Sequence, residues 1–500
     1  MTQTRNDVIA WGSSQSWWIL AGTVGASALA MLDATAVNVA LPSIGAELDA
    51  RVAGLQWTVN AYTLSLASLI LLAGALADRY GRRRMLQAGI AIFALASLAC
   101  SMASTLELLI AARALQGIGG ALLTPGSLAI IQVSYAEKDR GRAIGAWSGL
   151  SGIAAAIGPL AGGWLVEWSS WRTVFWINLP LAAVVLWIAG RHIPESRAPW
   201  MKGVHFDVLG AILGAFGLGA LTWALIASGN EGASAAVLVS FASGVGALAA
   251  FLLVERRASL PLVPLGLFSS RQFSAVNAVT FIVYGAMSVL FFLLVVYLQG
   301  AAGYPPLLAG MALVPVTALM LGLSSRAGQV AERIGPRRPM TIGPLMMAAG
   351  MTLLSRIGIE VSYLTDVLPG VIIFGLGLSA TVAPLTATAL AAADPKNAGV
   401  ASGVNNAVAR TASLLAVAVL PVVSGLTGDA LRDASRFNGG FRIAMIISAA
   451  LMVAGAMLAW ITIRDSRAPG CAGPTSPRSF CAVDGPPLAP GDAPESSRGN

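Results

Sequence analysis

Long apolar runs separated by short polar stretches fill most of the chain. They fall near 17–41, 55–77, 86–104, 107–133, 143–166, 174–190, 207–228, 234–254, 272–298, 306–325, 340–356, 364–392, 399–424 and 441–463. A helix crossing a hydrocarbon core needs about 20 apolar residues, so the pattern predicts fourteen spans. The first run follows a short polar head (residues 1–16) carrying Arg5. It is too long for a signal-peptide core and no small-residue cleavage site precedes the next loop, so it reads as a retained span. Beyond residue 463 the chain turns polar and Pro-rich, and residues 464–500 read as a disordered tail that cannot bury a core.

Composition agrees with this pattern and removes its rivals. Apolar residues make up 56% of the 500 and charged residues 11%, with mean hydropathy +0.75; a soluble chain carries about 25% charged residues. A string of soluble domains could not clothe its surface with so few charges, and disorder, collagen and coiled coil fail on the same numbers. The fold class is an all-α polytopic membrane protein. The net charge of +8 does not point to nucleic acid, because the basic residues sit in short loops between apolar runs. Cys100, Cys471 and Cys481 form neither a disulfide framework nor a metal-ligand spacing. The two histidines, His192 and His205, share one loop, and no Gly-Lys pair supplies a phosphate-binding loop. No metal, cofactor or ATP chemistry is expected.

The few charges fix an orientation. Of 31 Lys and Arg residues, 23 fall at the ends or in the loops of one face. Six (Arg51, Arg172, Arg356, Arg432, Arg436, Arg442) fall on the other, and Arg113 and Arg410 lie within spans. By the positive-inside rule the first face, with both termini, is cytoplasmic.

The chain also repeats itself. Gly74-Ala-Leu-Ala-Asp78-Arg79-Tyr-Gly81-Arg82-Arg83-Arg84 after the second run matches Gly328-Gln-Val-Ala-Glu332-Arg333-Ile-Gly335-Pro336-Arg337-Arg338 after the tenth. Lys138 to Gly145 pairs with Lys396 to Gly403, and Gly117 and Gly119 pair with Gly375 and Gly377. A six-helix unit would repeat after roughly 200 residues; the surplus corresponds to the two runs at 207–254. The expected organisation is a six-helix half (17–190), a linker (191–206), two inserted helices (207–254), a second linker (255–271) and a second six-helix half (272–463) in parallel repeat. One large class of secondary transporter is built from such halves, with its substrate site between them near the bilayer midplane.

On these motifs the chain resembles the major facilitator superfamily over about residues 17–463, and most closely its fourteen-helix drug:proton antiporters. The loop from Gly74 to Arg84 matches the superfamily's loop signature. Leu32-Asp33-Ala-Thr35-Ala-Val-Asn38-Val-Ala-Leu41-Pro42 is similar to the first-helix signature of the fourteen-helix group, and Arg113-Ala-Leu-Gln116-Gly117-Ile-Gly119-Gly120 to that of the fourth helix. Gly145 with Gly158-Pro159-Leu-Ala-Gly162-Gly163 resembles the antiporter signature of the fifth helix, departing at Ala154 where the family usually has Gly. Trp171-Arg172 with Asn178-Leu-Pro180, and Tyr297-Leu-Gln299 through Pro315, also fit.

Asp33 is the acidic residue placed well inside a span, where a charge costs about 2.5–3.5 kcal/mol on the insertion scale. Low dielectric disfavours a charged carboxylate, so Asp33 is the candidate carrier of a coupled proton. Arg113 lies at comparable depth on the fourth span and is its candidate partner; the resemblance implies a role in proton coupling. Arg113, Gln116, Gly117 and Gly120 share one helical face. The competing reading for both charges is a structural packing contact. Candidates for a polar substrate cavity are Thr35, Asn38, Gln116, Gln299, Asn405, Asn406 and Arg410, against an interhelical hydrogen-bond network. The fifth helix carries a seam of small residues through Gly145, Gly149, Gly152, Ala156, Pro159 and Gly163, a surface for close packing on which two halves could rock. The resemblance implies that Gly74, Asp78 and Arg79, with Gly81 and Arg82 beside them, latch the two halves, with Arg140 or Arg142 as partners.

The resulting expectation is a monomeric, proton-coupled exporter of small amphipathic compounds in a bacterial inner membrane, with protons, a small-molecule substrate and membrane lipid as its partners. Export of one dedicated metabolite, lipid or siderophore is the alternative of the same class. A uniporter or symporter, a membrane enzyme and a non-transporting scaffold are the others; no acidic or His/Cys cluster at a membrane face supports an enzyme.

Overall fold

The computed structural model describes residues 9–198, 207–258, 261–358, 360–393 and 398–465. The expectations for residues 1–8 of the polar head, His205, Lys202, Lys396 and the Pro-rich tail beyond residue 465 lie outside these residues. The described residues form fourteen long helices: α1 (Ser14–Glu47), α2 (Val52–Tyr80), α3 (Arg82–Ser101), α4 (Leu106–Ser134), α5 (Glu137–Trp168), α6 (Trp171–His192), α7 (Val208–Glu231), α8 (Ala235–Glu255), α9 (Arg271–Gly300), α10 (Pro306–Ile334), α11 (Arg337–Leu354), α12 (Tyr363–Ala391), α13 (Ala398–Val423) and α14 (Ala434–Thr462). Thirteen are long and apolar enough to cross a membrane. The exception is α11, whose 18 residues include Arg337 and Arg338; those two charges sit at its first turn and dilute an otherwise apolar helix. Two spans are broken: α6 at Ile177, and α10 between Met311 and Val314.

Polar residues start and stop the helices. The side chains of Ser13, Thr105, Asp207, Ser234, Ser270 and Asp433 accept a hydrogen bond from a first-turn N–H, which satisfies donors that lipid cannot. Gly81 and Gly335 stop α2 and α10 at φ of 116° and 88°, values that L side chains rarely adopt.

The repeat appears as a packing plan. In the first half α1 packs on α5 and α6, α4 on α2 and α3, and α3 on α6. In the second half α9 packs on α13 and α14, α12 on α10 and α11, and α11 on α14. The halves meet along two symmetric seams, α2 with α13 and α5 with α10, and at α1 with α9. The inserted pair packs on itself, with α7 against the α2–α13 seam. The loop repeat is structural too. Gly81 lies beside the Glu195 carboxylate after α6, and Gly335 beside the Asp465 carboxylate after α14, each so close that a Cβ would collide.

The apolar cores show how the halves are joined. The largest core combines residues all along the second half with those of the first half that lie toward the face bearing the α1–α2 loop: Ala36 to Ile44, Val52, Leu55, Leu109, Ala112 and Trp171 to Phe175. Toward the Arg-rich face the first half has a separate core around Ile19, Tyr62, Ile70, Phe93 and Ile130. The halves therefore share a large core at one face, while toward the other they meet in a small cluster of Leu71 with Ala401 and Val404.

Candidate functional site

Asp33 lies on α1, fourteen residues before the end of that 34-residue helix, and is 0% exposed. Its Oδ2 accepts from Arg113 Nη1 at 2.6 Å on α4. Its Oδ1 accepts from Gln116 Nε2 at 2.8 Å and from Asn178 Nδ2 at 2.9 Å. Asn178 is the first residue of α6 past the break at Ile177. Ser97 of α3 closes the ring, its Oγ accepting from Gln116 at 2.8 Å and from Asn178 at 3.3 Å. Four helices thus converge on one carboxylate.

Arg113, 1% exposed, is held from every side. Nε donates to the Thr58 carbonyl at 3.1 Å and Nη1 also donates to Gln116 Oε1 at 2.6 Å. The guanidinium lies 4.5 Å over the Tyr62 ring and 5.8 Å from that of Phe175. Gly117 makes this possible: a Cβ there would lie 2.3 Å from the Tyr62 carbonyl, so glycine lets α2 and its tyrosine press against α4. A buried ion pair is tolerable when its remaining donors and acceptors are also satisfied; here both Asp33 oxygens and Arg113 Nε and Nη1 are engaged, while Asn178 Oδ1 is buried without a partner. The arrangement can hold a negative charge in an apolar surround, and protonation of Asp33 would release Arg113 from its carboxylate partner.

The other cavity candidates divide. Gln116 belongs to the Asp33 network. Thr35 spends its hydroxyl on its own helix, at the Met31 and Leu32 carbonyls, and packs against Gly158 of α5. Gln299 donates to the Val39 carbonyl at 2.9 Å, tying α9 to α1 across the halves. Asn405 donates to Asn277 and Thr280 of α9, the counterpart of Trp147 of α5 donating to Ser27 of α1. Asn38 and Asn406 are half-buried. Arg410 is half-buried on α13. Sequence reasoning missed Ser97, Asn178, Tyr62 and Thr58 as parts of the site.

The switch candidates form two groups. Asp78 accepts two bonds from Arg82, at 2.9 and 2.7 Å, and its carbonyl accepts from Ala198 N. Glu195 accepts from Arg83 N and faces Arg84, while Arg79 lies 5.4 Å from the Tyr80 ring. The loop is thus bound to its own half. Arg140 turns to the Tyr135 carbonyl and Arg142 to the Trp11 ring. Gly74 lies beside Pro125. On α5 the seam is split. Gly158 and Gly162 pack on α1, Gly163 packs on Pro306 and Leu307 of α10, and Pro159 packs on Gly310. Gly145 and Gly149 have nothing within 4 Å of a Cβ.

More contacts tie the halves at the closed face. Arg51 pairs with Asp429 at 3.3 Å and Asp49 with Arg432. Gln56 donates to the Val417 and Ala418 carbonyls, and Glu167 accepts from Leu307 N.

A family profile described as Major Facilitator Superfamily matches residues 23–417. The chain is 38% identical to a puromycin resistance protein of Streptomyces alboniger, over 90% of this chain and 92% of that protein. It is 35% identical to a methylenomycin A resistance protein of Streptomyces coelicolor, over 86% and 89%. A multidrug resistance protein of Mycobacterium tuberculosis is 35% identical over 78% and 72%. Among solved structures, the fold is similar to a bacterial homolog of the human lysosomal transporter Spinster in an inward-facing, unoccupied conformation. The TM-score is 0.63 at 16% identity, covering 90% of this chain and 98% of that one. A D-xylose-proton symporter gives a TM-score of 0.65 at 14% identity, over 90% and 99%.

Proposed function

The chain belongs to the major facilitator superfamily, and from that premise we propose that it exports small amphipathic compounds by alternating access, driven by protons entering through Asp33. It is a multi-pass membrane transporter and not an enzyme. The observation that carries the coupling is the wholly buried Asp33 carboxylate, held by Arg113, Gln116 and Asn178. A charge kept at that depth against its cost is a functional group by default. Proton binding neutralises the carboxylate and loosens two helices, α4 and α6, from α1 together, which links protonation to the packing that distinguishes the two access states.

The Arg-rich face is cytoplasmic by the positive-inside rule, with both termini on it, in a bacterial inner membrane. The halves then stand closed outside and open inside at the Gly145 and Gly149 end of α5, ready to take a compound from the cytoplasm. The Gly74 to Arg84 loop acts as a latch that engages when the cytoplasmic side closes. Relatives named for resistance to single antibiotics and to many drugs support export, with the breadth of substrates settled by a resistance panel.

The test uses everted vesicles, an imposed proton gradient and a pH-reporting dye, with puromycin as the first compound. Wild type should release protons from the lumen when puromycin is added, and Asp33→Asn, which keeps the size of the side chain, should not. Equal responses from both would remove Asp33 from the coupling.

A further inference from the structure

Arg410 is the charge in the spans that this reading leaves unexplained. It sits mid-way along α13, between two points where α13 is pinned to α2: Gln56 bonded to the Val417 and Ala418 carbonyls, and Gly403 against Leu71. On its other side α13 is pinned to α9 through Asn405 with Asn277 and Thr280. The guanidinium makes no hydrogen bond and no ion pair with any described residue. Its nitrogens are also absent from the buried, unpartnered atoms, so they are not sealed off in the packing. The carboxylate nearest in role, Asp33, has both oxygens engaged elsewhere.

A cation at bilayer depth is expected to pair or to line a path for something that pairs with it. Arg113 shows the first case and Arg410 the second. A guanidinium offers a planar fork of donors that fits a carboxylate with two parallel bonds. We propose that Arg410 is the docking group for an anionic oxygen group on the exported compound, so that organic acids are a substrate class of this transporter. The proposal rests on the export reading above and names the chemistry of its cavity. It also makes the exchange charge-sensitive: an acid seated on Arg410 neutralises the unpaired cation.

The experiment compares 2-naphthoic acid with its methyl ester, binding to the full chain in nanodiscs without any gradient, by equilibrium dialysis. Wild type should bind the acid about tenfold or more tightly than the ester, the scale of a hydrogen-bonded charge pair. Arg410→Gln should bring the acid down to the ester's affinity and leave the ester unchanged, while Arg410→Lys should restore part of the preference. Equal affinities in wild type, a preference that survives Arg410→Gln, or no binding of either compound would each overturn the proposal. Because no gradient is applied, an acid preference that persists while Asp33→Asn still transports like wild type would refute the coupling and leave the anion site standing.

Discussion

The two ends of the α5 seam are made of the same residue type and live in different surroundings. Toward the closed face Gly163 is pressed against backbone atoms of α10, a Cβ there lying 2.7 Å from Leu307 Cα, and Gly310 is pressed against the Pro159 carbonyl. Toward the Arg-rich face Gly145 and Gly149 are exposed and touch nothing. Small residues are not needed where a helix meets open space, so the open end has the sequence of a packed surface without the packing. The difference is that of a hinge caught at one limit: the same seam is closed at one end and vacant, but shaped for closure, at the other.

Placing one side chain at each end should give opposite signatures. Gly163→Val drives two methyl groups into α10 backbone that cannot rotate away, so it should lower the stability of purified protein by about 1–3 kcal/mol and also reduce transport. Gly145→Val enters open space and should leave the thermal unfolding temperature unchanged while transport falls to background, because the cytoplasmic side can no longer close. Thermal melts in detergent beside vesicle uptake read both. A stability loss at Gly145 equal to that at Gly163 would show that both ends pack, and the picture of a half-open seam would fail.

A second contrast follows at the closed face. Asp49→Cys with Arg432→Cys places two thiols on facing loops of the two halves, where the native side chains form an ion pair. Oxidation should stop transport and reduction should restore it, since every cycle must part these loops. Persistent transport by a fully cross-linked protein, with the link shown by gel shift, would mean that the outer face never opens there.

The spans were legible in the sequence because lipid forces every backbone polar group to be satisfied within a helix, which leaves length and hydropathy as sufficient signals. Asp33 and Arg113 were legible for the related reason that a charge at depth is costly. The repeat in the Gly74 and Gly328 loops foretold two halves of like packing. The remainder of the site was not legible. Ser97 and Asn178 come from α3 and α6, and nothing local to either says that Asn178 reaches a carboxylate 145 residues earlier in the chain or that Ser97 accepts from the amides that hold it. Thr35 was plausible as a cavity group from its position two residues past Asp33, yet a threonine hydroxyl can always turn to the carbonyl one turn back, and this one does. Gln299 joins the halves through a backbone carbonyl, an acceptor that carries no sequence signature at all.

The smallest expected effect belongs to the ion pair between Arg51 and Asp429, and it sharpens what closes the outer face. These side chains are 64% and 52% exposed, and pairs so open to water contribute about 0–1 kcal/mol. The buried alternatives are the shared apolar core through Leu41, Val289 and Leu313 and the Gln56 amide on two α13 carbonyls. If packing holds the face shut, Arg51→Ala should change transport and melting little, and raising salt should change them little in the wild type as well. Gln56→Leu, which strands no charge but removes the amide, should have the larger effect of the two. A steep salt dependence in wild type that Arg51→Ala abolishes would instead assign closure to the exposed charges, and the two ends of the molecule would then differ in electrostatics rather than in packing.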